Sequence, residues 1–294
     1  MALRTTLAAI AGAVLAPAVV LAEPRPGIAT TVEGVVVAPS DKALNELAHD
    51  YVSGIVARKP QRSLVRWRRP ICPLVAGLPQ DKGEYVLARL SEVAREANAP
   101  LGAPNCRANL YVVVSDEPQR LLALWSQHDH RLFGSGLPAV VARFVATDKP
   151  VRVWHNWILE QADGRAAPPE SSSYNGAPTL RFSKASRLTE NAVRNAGSVL
   201  VVVDERQIEG VTVVQLADYI AMAAFTELRS RPQPGDAPTI LALFENGGEP
   251  TPGLSDWDRA FLRGLYGTNP ESVTQRVEIA GRVLRDIRQA ETAR

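Results

Sequence analysis

The chain has 294 residues, 46% of them hydrophobic, with 33 Lys and Arg against 31 Asp and Glu. That composition excludes a disordered chain and suits one large folded domain or two small ones. A formal charge of +2 gives no electrostatic case for nucleic acid or an anionic membrane surface.

Residues 1–22 read MALRTTLAAIAGAVLAPAVVLA. Arg4 precedes an apolar run from Leu7 to Leu21, and Val20-Leu21-Ala22 closes it with small residues. This is the pattern of a cleaved secretory signal, with cleavage expected after Ala22. The run is shorter than the ~20 apolar residues a spanning helix needs, and Pro17 interrupts it. No Cys follows it to carry a lipid, and no twin-arginine pair precedes it. The expected product is a soluble periplasmic or secreted protein, residues 23–294, with no stable membrane insertion. Its two cysteines, Cys72 and Cys106, then pair most simply as a disulfide.

Residues 23–38 read as extended. Leu44, Leu47, Ala48, Tyr51, Val52, Ile55 and Val56 recur at helical spacing, with Ser40 or Asp41 as cap and Pro60 beyond the end. Residues 63–67 read as a short strand ending at Trp67, flanked by Arg66, Arg68 and Arg69. A helix is expected at 81–97 and a strand at 108–114. Ser115 is the expected cap of a helix through Trp125, and another helix is expected at 137–147. A strand at 150–160 follows, then a loop at 161–178 rich in Ala, Pro, Ser and Gly, the place for a subdomain break. The apolar run 198–204 predicts a strand buried on both faces. Thr212 and Gln215 form a capping box for a helix to about Ser230. Helices at 237–245, 255–266 and 270–290 complete the chain. The order predicts an α+β fold, a mixed sheet packed by helices with a helical C-terminal third.

The helix after the buried strand reads VTVVQLADYIAMAAFTEL and contains no His. A zinc metalloprotease would carry H-E-x-x-H on such a helix. The segment LSDWDRAFLRGLYG at 254–267 adds a resemblance to the metzincin-type zincin core. The chain also resembles uncharacterised exported bacterial proteins with a QLADYIAM helix and an ICP segment at the first Cys. The first resemblance implies a zincin-like fold. No zincin ligand transfers, because the H-E-x-x-H positions hold other residues, so the implied relative is metal-free.

Asp204, Glu205, Asp218 and Tyr219 are the candidate catalytic residues, the acids serving a hydrolase. The plainer reading of Asp218 is a core carboxylate paired with an Arg such as Arg66 or Arg68, because a buried charge needs a partner. His128, His130 and His155 are the alternative metal ligands. Arg66, Arg68 and Arg69 are the candidate anion site. No G-x-S-x-G, Cys/His pair, G-x-G-x-x-G or P-loop is present, so no cofactor is expected. The leading expectation is a non-catalytic binding or scaffold protein whose partner is an envelope protein or a small ligand. An exported hydrolase is the competing class.

Overall fold

A computed structural model describes residues 30–32, 35–37, 40–57, 63–134, 136–161, 189–190, 192–245 and 251–293. The signal segment and all but the first residue of the 161–178 loop lie outside the described residues.

Strands β1 (Thr30–Val32) and β2 (Val35–Val37) pair as a small antiparallel ribbon. Helix α1 (Asp41–Ile55) starts where Ser40 Oγ accepts the Ala43 N–H at 3.2 Å, the first of the two caps expected. The main sheet holds β3 (Pro73–Ala76), β4 (Leu110–Ser115), β5 (Val151–Gln161) and β6 (Ala192–Asp204). Its order is β3-β4-β6-β5, with β3, β4 and β6 parallel and β5 antiparallel at the edge. Helix α2 (Gln80–Glu96) is the crossover between β3 and β4. Helices α3 (Pro118–His128) and α4 (Pro138–Ala146) link β4 to β5. Helices α5 (Val213–Phe225), α6 (Asp256–Gly267) and α7 (Gln275–Thr292) follow β6. The protein is α+β, as its element order predicts.

The sheet separates two cores. Val199, Val201 and Val203 of β6 join Leu110, Val112 and Val114 of β4 in the larger core, under α1, α2 and α5–α7. Leu200 and Val202 point the other way, onto Leu122, Phe133 and Phe144 of the α3–α4 layer. That is why the 199–203 run is apolar without alternation: both faces of the strand are covered. Side chains of this kind contribute about 1.5–3 kcal/mol each on full burial.

Six elements differ from expectation: β6 begins at Ala192, six residues before the apolar run, and α5 ends at Phe225, short of Ser230, where the chain turns extended and the Thr226 hydroxyl donates to the Val65 carbonyl. Residues 63–67 form one bridge, Arg66 to Asn195, alongside the first half of β6 and not a strand. Helix α3 begins at Pro118, whose fixed φ suits the first helical position, and Ser115 instead accepts the Glu117 N–H at 3.1 Å in the preceding turn. Residues 240–244 form a 3₁₀ turn anchored by the Ile240 N–H on Asp258. Helix α7 starts at Gln275, because the Ser272 and Thr274 hydroxyls donate to Glu278 and shape the turn before it.

Cys72 and Cys106 form the expected disulfide, with Cα atoms 5.9 Å apart. No helix among the described residues is long and apolar enough to cross a membrane.

Candidate functional site

Seven consecutive residues of β5, Val151 to Trp157, line one groove of about 1330 Å³. Successive strand side chains point to opposite faces. A groove touched by both sets therefore runs along the strand's edge, not over one face. β5 ends the sheet, and among the described residues no strand pairs on its outer side. The Pro150 carbonyl accepts the Asp204 N–H at 2.8 Å, which turns the even-numbered positions toward β6. By the alternation of an antiparallel ladder, the Val153 N–H points into the groove.

One wall comes from the α3–α4 layer. Trp154 packs edge-on against Phe133 at 5.6 Å and Phe144 at 5.2 Å. A Cβ at Gly136 would lie 2.6 Å from the Trp154 ring, so the 133–136 turn reaches the indole only with glycine there. The Gly134-x-Gly136 pair thus shapes the wall. Leu137, Val140 and Trp157 are exposed at 62%, 44% and 42%. Such apolar exposure around a concave groove marks an interaction site.

The opposite wall is Ala223, Tyr219 and Phe244, the last two rings in edge contact at 4.8 Å. Burial pushes the Tyr219 hydroxyl up to about 12. Beyond it, residues 227–233 form a strap pinned to the end of α1. Ala57 N–H donates to Glu227 at 3.0 Å, Arg229 N–H to Ile55 at 2.9 Å, and Gln233 N–H to Gly54 at 3.0 Å. Lys149, in the turn before β5, donates to the Ser230 carbonyl across the groove end.

The sequence-derived candidates are scattered around this groove. Tyr219 and His155 line it. Asp204 is fully buried at the end of β6 and accepts from Arg206 and from Gln207, whose amide also bonds Asp148 at 2.6 Å. The Arg206 hydrogen bond holds the Asp204 carboxyl below its ordinary value. Glu205 is exposed in the following 3₁₀ turn. Asp218 is buried and paired with Arg89 of α2 at 2.6 Å, not with Arg66 or Arg68. Its other oxygen accepts the Leu254 N–H at 2.7 Å. Asp218 lines neither this groove nor the smaller hollow of about 360 Å³ beside Gly253 and Trp257.

The three arginines do not make one anion site. Arg66 is buried and donates to the Leu265 and Thr268 carbonyls and the Gln275 side chain, tying the end of α6 to the start of α7. Burial draws its guanidinium down to about 10. Arg68 and Arg69 instead face Glu160, at 3.9 and 3.3 Å. Among the histidines, His128 Nδ1 lies 3.0 Å from the Leu124 carbonyl of its own helix, and His155 stands opposite Val199 in the sheet. His130 opens a 3₁₀ turn, and its side chain is outside the described set. No cluster of three or more metal-ligating side chains occurs among the described residues.

Arg152 is a feature the sequence reading missed. It is buried, with Nη1 donating to Thr147 at 3.1 Å, while Nε and Nη2 have no hydrogen-bond partner among the described residues. Burial lowers its pKa, offset by Asp204 and Asp148. The groove itself was also missed. Its one signal was an apolar strand with large aromatics, VRVWHNW, followed by a long polar connection. Compared with protein-family models, curated proteins and solved structures, the chain matches none.

Proposed function

We propose that the chain is an exported, non-catalytic binding protein that takes an extended polypeptide along β5. The observation that carries this is the run Val151–Trp157 lining a single groove beside an unpaired sheet edge. Such an edge offers main-chain hydrogen bonds to an added strand, and flanking pockets take alternate side chains. The aromatic walls supply apolar contact, and none of Asp204, Glu205 and Asp218 opens onto the groove. Export rests on the leader pattern and the Cys72–Cys106 bridge. We read α5 as the counterpart of a zincin's ligand helix, with Gln215 capping it and Asp218 holding Arg89.

The test is a fluorescein-labelled octapeptide of alternating Val and Thr, titrated by anisotropy. Val153→Pro removes one outward N–H from an edge strand, where proline is tolerated, and Val153→Ala controls for the side chain. Binding lost with proline and kept with alanine is the expected result. Equal binding by both variants overturns the strand-addition reading. Casein turnover abolished by Asp204→Asn overturns the non-catalytic one. A secreted product whose first residue is not Glu23 overturns the leader cleavage.

A further inference from the structure

We infer that the groove selects a peptide carrying a carboxylate at the end that lies beside Lys149, Arg229 and Arg231. The inference rests on the strand-addition reading above and adds the partner's charge. All three cations line the groove at the mouth where β5 begins. Lys149 reaches the strap through the Ser230 carbonyl, so the turn and the strap meet there. None of the three has an ion pair among the described residues, whereas two other basic side chains at the sheet do: Arg194 pairs with Glu227 at 3.6 Å and Arg69 with Glu160 at 3.3 Å.

The acids lining the same groove are Asp148, Glu227 and Glu245. Glu227 is committed to Arg194, and Glu245 follows Phe244 on the aromatic wall. Asp148 alone stands at the cationic mouth, where it accepts the Gln207 amide at 2.6 Å. Three cations against one acid leave that mouth positive. The guanidinium of Arg152, the second residue of β5, lies behind it and faces the carboxylates of Asp204 and Asp148. An unpaired positive mouth at one end of an apolar groove sets the direction of the bound strand as well as its charge. Complementary charges at an interface rim contribute mainly specificity and association rate.

Three probes test this: alternating Val-Thr octapeptides ending in Asp, Asn or Lys, each amidated at the C-terminus. The Asp peptide is expected to bind about tenfold more tightly than the Asn peptide, and the Lys peptide least, with the gap closing as salt rises. The double variant Arg229→Gln/Arg231→Gln should bring the Asp peptide to the Asn level and leave the Asn peptide unchanged. Equal affinity of all three peptides for the native protein overturns the charge inference and leaves strand addition standing. Failure of every peptide, with no effect of Val153→Pro, overturns the reading beneath it. Dimerisation through β5, seen by sedimentation and blocked by Val153→Pro, assigns the edge to a second copy and overturns both.

Discussion

Arg89 of α2 meets Asp218 of α5 side-on, with Nε 2.6 Å from one carboxylate oxygen and Nη2 3.1 Å from the other. The pair fastens the crossover helix to the helix that follows the central strand. Removing Arg89 strands a buried carboxylate, which costs about 3–5 kcal/mol in such pairs. Arg89→Ala should therefore lower the urea midpoint sharply, and Arg89→Ala/Asp218→Asn should recover part of the loss. A single variant within 1 kcal/mol of native, on the order of an exposed pair, would show the bridge to be weak.

The bridge between Cys72 and Cys106 closes a loop spanning 34 positions. On the chain-entropy account this contributes about 3–4 kcal/mol. Cys72→Ser/Cys106→Ser should unfold at correspondingly lower urea. Non-reducing peptide mapping of the purified protein should recover the cross-linked pair, and free thiols there would contradict it.

Gly54 sits near the end of α1, where alanine would ordinarily gain about 1 kcal/mol. Here an added Cβ would lie 1.8 Å from the Gln233 carbonyl oxygen. Gly54→Ala should instead destabilise by about 2 kcal/mol, read from the urea midpoint. Because Gln233 belongs to the strap along the groove, the same variant should weaken peptide binding. A gain in stability would mean that the strap moves aside freely.

Asp258 is fully buried, accepting from Tyr51 at 2.8 Å and from the Ile240 and Ser255 N–H groups, both at 2.9 Å. Burial raises its carboxyl above the ordinary 3.8, against the pull of those hydrogen bonds. A carboxyl raised in the folded state binds more protons there than in the unfolded chain. Stability then falls as pH rises from the unfolded to the folded pKa, and stays lower above it. Measured at about pH 4 and again at about pH 7, the stability advantage of the native protein over Asp258→Asn should be smaller at the higher pH. Urea titration at both pH values checks the sign, and an advantage that grows with pH refutes it.

What the sequence revealed was local. The α1 stripe, the Thr212 cap and the two-faced apolar run of β6 follow from spacing of a few residues, and the structure bears them out. Partners far along the chain were illegible. Arg89 and Asp218 are 129 positions apart, and nothing near Asp218 distinguishes Arg89 from Arg66. Arg66 reads as part of an anion site with Arg68 and Arg69 because the α6–α7 carbonyls it binds lie about 200 positions away. The groove needed β5 at the edge, and strand order is set by tertiary packing. With β5 inside the sheet, VRVWHNW would have been another buried strand.

The bridge also changes the order in which the sheet can assemble. Cys72 directly precedes β3, and Cys106 lies four residues before β4. Oxidation joins the starting ends of two strands that must pair in parallel across a whole helix. Parallel pairing is slow because a long loop must close before its contacts form. In the oxidised chain that closure is already made, so β3 and β4 search for register from a shared origin. A thiol oxidant present during folding would then act on the rate of folding as well as on its endpoint.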